Sequence, residues 1–118
     1  MSPLSIYLGY LGHKAANVPV VKGIEPPAAL FDVDPTKIVG LTIDAERLAE
    51  IRRVRIRAMG GQNKQYAKLL EIYEELENAE AVQRRLGCPV IDTTELSIEE
   101  TAARVIRLVE QRQAEVTA

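Results

Sequence analysis

Several residue types are scarce or absent in this chain, and each shortage excludes a class of protein. There is no tryptophan, one phenylalanine and four tyrosines, so an aromatic platform for stacking nucleic-acid bases is not expected. The single cysteine, Cys88, excludes an internal disulfide and fits a reducing compartment. No apolar run approaches the roughly 20 residues that span a bilayer, and no signal peptide is recognisable. The formal net charge of -2 gives no broad attraction for nucleic acid or an anionic membrane.

The remaining composition is that of an ordinary globular protein. The 118 residues are 47% hydrophobic and 27% charged, which suits one compact domain but not two domains with separate cores. We therefore interpret residues 1–118 as a single cytoplasmic domain that has no nucleic-acid or membrane partner.

Helix signals are clear at three places. Asp44 can cap a helix that starts at Ala45. A longer amphipathic helix is predicted from about Lys64 to Leu86, where Gly87 supplies the left-handed residue that ends it. The last helix opens at a capping box formed by residues 97–100, in which a serine and a glutamate each satisfy one free amide.

Three short apolar runs without alternation predict strands: Ala15–Val21, Ile38–Ile43 and Pro89–Thr94. Such runs are typical of strands that are covered on both faces, as in a parallel sheet. Residues 23–37 are expected to form an ordered loop with a turn of helix near Ala28–Phe31. The predicted fold class is α/β, a partial P-loop or Rossmann-like domain with a mostly parallel sheet flanked by helices.

The first helix has an unusual setting. Ser2 and Pro3 are a good cap and first helical residue. Ile6 and Tyr10 make the helix apolar on a second side, which favours burial within an α/β layer. Helices of that kind usually follow a strand, so we expect that a first strand is missing and that a sheet edge is exposed.

Two of the predicted strands run into an aspartate. Asp44 and Asp92 each follow a buried run, and the carboxyl ends of parallel strands are where α/β enzymes place catalytic groups and Mg²⁺. Asp44 is a candidate metal ligand, with a plain helix cap as the alternative. Asp92 is a candidate catalytic residue, and an ordinary loop acid is an equal alternative.

A run of arginines is the next candidate. Arg52 and Arg55 are three residues apart and share one helix face, where their guanidinium groups could bind phosphate oxygens. The alternative is a solvated face that pairs with acids such as Glu46 and Glu50. Ser2, at a helix start, could contact phosphate or Mg²⁺, or could be only a structural cap.

Stretches along nearly the whole chain, in order and with matching gaps, resemble the pyruvate, phosphate dikinase regulatory proteins. The matching stretches are residues 2–8, 14–20, 26–31, 40–43, 51–53 with Arg55, 66–67, 87–92 and 97–102. Regulators of phosphoenolpyruvate synthase are close relatives, and the segment around Pro26 and Pro27 favours the dikinase type.

The resemblance implies a bifunctional serine/threonine phosphotransferase. Members of this family phosphorylate a threonine of the dikinase with ADP as donor, and remove the phosphate with inorganic phosphate to give pyrophosphate. The implied ligands are ADP, inorganic phosphate and Mg²⁺, and the implied partner is pyruvate, phosphate dikinase or phosphoenolpyruvate synthase. Family members are about twice as long as this chain.

One motif of the family is matched only at its end. Of the glycine- and lysine-bearing phosphate loop, only Ser2 and Pro3 have counterparts here, and Met1 stands where the lysine would be. We therefore expect this chain to be the C-terminal part of such an enzyme, inactive or nearly so, because phosphoryl transfer depends on the loop's positioning and charge. A non-catalytic module that docks on the dikinase, or a homodimer formed through an exposed sheet edge, is the alternative.

Overall fold

The computed structural model describes residues 3–58 and 65–117, and the side chains of residues 3–54 and 68–115. The helices are α1 (Pro3–Tyr10), α2 (Ala45–Ala58), α3 (Gln65–Leu86) and α4 (Ile98–Thr117). The strands are β1 (Gly40–Thr42) and β2 (Val90–Asp92), and two short 3₁₀ helices lie at Ala28–Asp32 and Pro35–Lys37.

The two strands pair in parallel, with Gly40 opposite Val90 and Thr42 opposite Asp92. The chain passes through α2 and α3 between them, since parallel strands need a long connection. The protein is thus α/β, as predicted, and its described residues form a small parallel sheet flanked by four helices. Both strands are shorter than the apolar runs that predicted them.

The prediction of a strand at Ala15–Val21 is wrong, because this segment forms no strand. Pro19 has no amide hydrogen to donate to a ladder. Val18 and Val21 are 37% and 48% exposed, and no strand in residues 3–58 or 65–117 pairs with the segment.

The core is built by one strand and the helices around it. Ile72 and Val82 of α3, Ile91 of β2 and Ala102 of α4 are buried. α2 packs on α3, and α4 packs on α1 and β2. Within the described ranges no helix is long and apolar enough to cross a bilayer.

The outer parts of the sheet and of α1 are less covered than predicted. Leu41 and Val90 are 39% and 45% exposed, so the expectation of strands buried on both faces is wrong at these positions. α1 buries Leu8, while Ile6 and Tyr10 are exposed. Its second apolar side therefore faces no other element among the described residues.

The predicted helix ends are confirmed. Gly87 has a φ of 64°, the left-handed conformation that ends α3. The Ser97 hydroxyl accepts a hydrogen bond from the Glu100 amide at 3.1 Å, and the Glu100 carboxylate accepts one from the Ser97 amide at 3.3 Å. The turn near Ala28 is the first 3₁₀ helix, and Arg85 stacks on its Phe31 ring at 4.7 Å.

Candidate functional site

Two aspartates lie at the edge of the sheet that is formed by the carboxyl ends of its strands. Asp44 follows β1 and Asp92 ends β2. Thr94 connects them, because its hydroxyl accepts a hydrogen bond from the Asp44 amide at 2.8 Å and donates one to Asp92 Oδ1 at 2.5 Å. The structure therefore brings together two of the residues predicted from sequence, through a threonine that was not predicted.

The carboxylate of Asp92 is held in its ionised form. Hydrogen bonds from the Thr94 hydroxyl and, next, from the Thr94 amide lower the pKa of Asp92 below its ordinary value. The amide bond is 2.9 Å long and also ends on Oδ1. The charged carboxylate can accept a hydrogen bond from a hydroxyl or bind a cation, whereas its lowered pKa makes it a weaker base.

A second pair of hydrogen bonds, made by Thr93, lies beside those of Thr94. The amide and the hydroxyl of Thr93 both donate to the Thr42 carbonyl oxygen, at 2.9 and 3.0 Å. These bonds extend the strand pairing by one residue. The edge that carries the aspartates is thus held at two neighbouring points.

The aspartates also keep oxygen atoms available for a ligand. Asp44 Oδ2 caps α2 by accepting from the Arg47 amide at 3.1 Å. Among the described residues, neither Asp44 Oδ1 nor Asp92 Oδ2 accepts a hydrogen bond. Asp44 is therefore a helix cap, as its alternative interpretation held, and still has one oxygen for a metal.

The donor set fits Mg²⁺ better than a closed metal site. In the part of the chain that the structure describes, no group of three or more histidine, cysteine or acidic side chains could hold a metal ion. Mg²⁺ is commonly held by one or two carboxylates together with substrate phosphates and water. Asp44 and Asp92 are exposed and could each supply a carboxylate oxygen, and the Mg²⁺ site stays a prediction.

Arg52 does not join this edge directly. It lies two turns along α2 from Asp44, about 12 Å away along the helix axis. Its Nη1 pairs with Glu75 Oε2 of α3 at 2.9 Å, and not with Glu46 or Glu50. The backbone of Arg55 lies in α2, but its side chain is outside the described part, so the phosphate role of both arginines stays a prediction.

The proposed contacts at the start of α1 are only partly visible. Pro3 is the exposed first residue of the helix, as predicted from its fixed φ. Ser2 lies outside the described residues, so its role also remains a prediction.

A shallow open cleft of about 790 Å³ lies elsewhere, between α3 and the sheet. Thr42, Tyr73, Gln83, Cys88 and Val90 are among its lining residues. Neither aspartate nor Arg52 lines it. Its charged lining residues, Glu77, Glu80 and Arg84, all lie on α3, and Arg84 pairs with Glu80 at 3.6 Å. We place the candidate site at the strand ends, where residues from two strands and a helix start meet.

Thr94, which joins the two aspartates, was not among the site residues predicted from the sequence. Thr94 lies two residues after Asp92, the spacing at which an aspartate accepts from the following backbone and hydroxyl. That spacing was a usable signal for the turn at Asp92. The contact from Thr94 to Asp44 had no local signal, since the two residues are 50 positions apart.

Comparison with known proteins identifies the class. The profile of the family described as Kinase/pyrophosphorylase matches residues 1–106. The chain therefore belongs to the kinase/pyrophosphorylase family, as the resemblance indicated.

The individual relatives bear a more specific name. A protein of Cutibacterium acnes named as a pyruvate, phosphate dikinase regulatory protein is 59% identical, over 94% of this chain and 38% of its own length. Proteins of the same name from Alkaliphilus oremlandii and Geobacter sulfurreducens are 45% and 50% identical, over 91% and 90% of this chain and 39% and 40% of their own lengths. The chain thus spans about two fifths of the length of these relatives. No solved structure matches it.

Proposed function

We propose that this chain carries part of the phosphotransfer site of a bifunctional regulator of pyruvate, phosphate dikinase. The regulator is an ADP-dependent serine/threonine kinase and a phosphate-dependent pyrophosphorylase. Family membership and the names of the relatives support the class. The single observation that carries the local assignment is the link of Asp44 to Asp92 through Thr94 at the carboxyl ends of two parallel strands.

The two reactions are opposite phosphoryl transfers at one threonine of the dikinase. In the kinase direction the threonine oxygen attacks the β-phosphorus of ADP, its proton passes to a base, and AMP leaves. In the other direction an oxygen of inorganic phosphate attacks the phosphothreonine phosphorus, pyrophosphate forms, and the threonine oxygen recovers a proton. Both need a group that holds the threonine hydroxyl and its proton.

Asp92 is assigned that task. Its Oδ1 is occupied by Thr94, which leaves Oδ2 to accept the hydroxyl proton or orient the hydroxyl. The lowered pKa makes Asp92 a weaker base than an ordinary aspartate, which favours holding and orienting the hydroxyl over full removal of its proton. Asp44 is assigned to Mg²⁺, which when bound neutralises charge on the phosphates of ADP. Ser2 and Pro3 are assigned to the nucleotide phosphates.

Arg52 and Arg55 are assigned to neutralise the transferring phosphoryl group. For Arg52 this requires that its guanidinium leaves Glu75, or that it shares itself between the carboxylate and a phosphate. The pair is about 40% exposed on both sides, and exposed ion pairs contribute little stability, roughly 0–1 kcal/mol. Exchange of the partner is therefore energetically accessible.

A matched pair of variants separates the two roles of Arg52. Arg52→Ala and Glu75→Ala both break the same ion pair, so a purely structural arginine predicts the same small effect from each. A phosphate-binding arginine predicts that, in a full-length relative with the same ion pair, only the replacement matching Arg52→Ala raises the KM for inorganic phosphate or lowers turnover. Equal effects of the two variants would remove Arg52 from the site.

The test of the proposed function is a transfer assay with ADP labelled at the β-phosphate and purified dikinase. In a full-length relative that carries an aspartate at the position matching Asp92, replacing it by asparagine should lower transfer by about 10²-fold or more, as for a lost acid–base group. Activity within about twofold of the wild type would contradict the assignment. Calorimetry with ADP and Mg²⁺ on the 118-residue chain then shows whether nucleotide binds without the rest of a full-length relative.

The second candidate function is a binding module that pairs with the dikinase or with itself. It is favoured by exposed apolar side chains on both faces of the sheet, Leu41 on one and Val90 on the other. Among the described residues, no third strand covers either edge of this sheet. Sedimentation velocity at two protein concentrations, with and without the dikinase, tests it. A sedimentation coefficient that does not change in any of these conditions would exclude it.

A further inference from the structure

Thr94 is placed so that one hydroxyl group serves two partners on different elements. Its oxygen accepts from the Asp44 amide at the start of α2, and its hydrogen goes to Asp92 Oδ1 at the end of β2. A hydroxyl has one donor hydrogen and acceptor lone pairs, so both bonds can form together. The half-buried position of Thr94 keeps this arrangement beside the strands and not in open solvent.

We propose that Thr94 is a positioning residue, whose hydroxyl fixes the rotamer of the Asp92 carboxylate and its place relative to α2. This inference rests on the proposed function, in which Asp92 Oδ2 faces the reacting hydroxyl. With Oδ1 fixed by the amide and the hydroxyl of Thr94, rotation of the carboxylate would break both bonds. Reactive groups must be held within about 0.5 Å of a productive geometry, and without this hydroxyl Asp92 would keep only the weaker restraint of the Thr94 amide.

The neighbouring threonine provides the control. Thr93 also follows β2 and also donates its hydroxyl, but to the Thr42 carbonyl oxygen and not to a carboxylate. Its removal should weaken the strand connection without freeing Asp92. The two threonines thus separate the positioning of Asp92 from the general stability of the edge.

The experiment is nuclear magnetic resonance of the 118-residue chain at neutral pH. Thr94→Val keeps the shape of the side chain and removes the hydroxyl, whereas Thr94→Ser keeps the hydroxyl. The readouts are the ¹³C signal of the Asp92 carboxyl group, the couplings that report its χ1 rotamer, and hydrogen exchange of the Asp44 amide. Thr93→Val is measured beside them.

In Thr94→Val we expect the Asp92 couplings to average over rotamers, its carboxyl signal to shift, and the Asp44 amide to exchange roughly two- to tenfold faster, as for one lost hydrogen bond. Thr94→Ser should restore all three readouts. Thr93→Val should lower the unfolding midpoint and leave the Asp92 signals unchanged.

A single Asp92 rotamer in Thr94→Val, or an equal change in Thr93→Val, would overturn the inference. If Thr94→Val does not fold, Thr94→Ala carries the same expectations. No nucleotide or dikinase enters these measurements, so their failure is distinct from failure of the transfer assay.

Discussion

An alanine at position 40 should destabilise the protein through one specific side chain. A Cβ added to Gly40 in β1 would lie 2.9 Å from Gln83 Nε2 and 3.0 Å from both its Cδ and its Cγ. Real Cβ atoms essentially never approach other atoms so closely, so Gln83 must rotate away. That rotation would break the 3.1 Å hydrogen bond from Gln83 Nε2 to the Leu41 carbonyl oxygen, which ties α3 to β1.

Three contributions determine how much Gly40→Ala should lower the free energy of unfolding. Overpacking costs about 1–3 kcal/mol, and the lost hydrogen bond about 0.5–1.5 kcal/mol. Replacing glycine restricts the unfolded chain and returns about 0.4–1 kcal/mol. Because Gln83 is a flexible side chain with solvent nearby, we expect the lower part of the range, a net loss of about 1–2 kcal/mol.

Urea unfolding, followed by the circular dichroism signal of the helices, measures this loss of unfolding free energy. Tryptophan fluorescence is not an option, since the chain has no tryptophan. Gly9→Ala is the matched control, because a Cβ there meets nothing within 4 Å. Gly9 lies inside α1, so its replacement should stabilise the protein by about 0.5–1 kcal/mol.

A double-mutant cycle decides whether Gln83 is responsible. In a Gln83→Ala background the obstacle is gone, so Gly40→Ala should cost close to nothing there, giving a coupling of about 1 kcal/mol or more. If Gly40→Ala lowers the free energy of unfolding equally with and without the Gln83 side chain, a clash with Gln83 is not the cause.

Two further predictions concern stability: the first tests the Ser97 cap of α4, and the second tests the lowered pKa of Asp34. Ser97→Ala should lower the free energy of unfolding by about 1 kcal/mol, because its hydroxyl no longer accepts the Glu100 amide; an unchanged urea midpoint would contradict the capping role. Bonds from the Thr36 amide and hydroxyl lower the pKa of Asp34, so its stabilising effect is complete above the unfolded pKa of about 4. It is lost as pH falls through the lower folded value. Asp34→Asn should therefore unfold with a smaller loss of urea midpoint between pH 6 and pH 2 than the parent, and an equal loss would exclude this contribution.

Local signals predicted the helices well because helix ends are decided by nearby residues. The capping box at Ser97 and the left-handed Gly87 act within a few positions, and both are found. The strand prediction at Ala15–Val21 failed because an apolar run becomes a strand only if a partner pairs with it. The residues of the run do not show whether such a partner strand exists elsewhere in the chain.

The candidate site also combines features that the local sequence predicted with contacts that it did not predict. Asp44 and Asp92 were predicted at one edge from strand ends alone, and the structure joins them. The partner of Arg52 was not predicted, because Glu75 lies on another helix and no periodicity links them. Contacts between distant elements depend on how those elements pack, which composition and spacing leave open.

The 50-residue separation between Asp44 and Thr94 has a consequence for how the protein folds. Helical turns form from neighbouring residues in about a microsecond or less, whereas joining β1 to β2 must first close the long segment that includes α2 and α3. The bond from the Asp44 amide to the Thr94 hydroxyl oxygen can therefore form only after that closure. An Asp44 amide that becomes protected late in a refolding time course would make the candidate site a marker for completed folding.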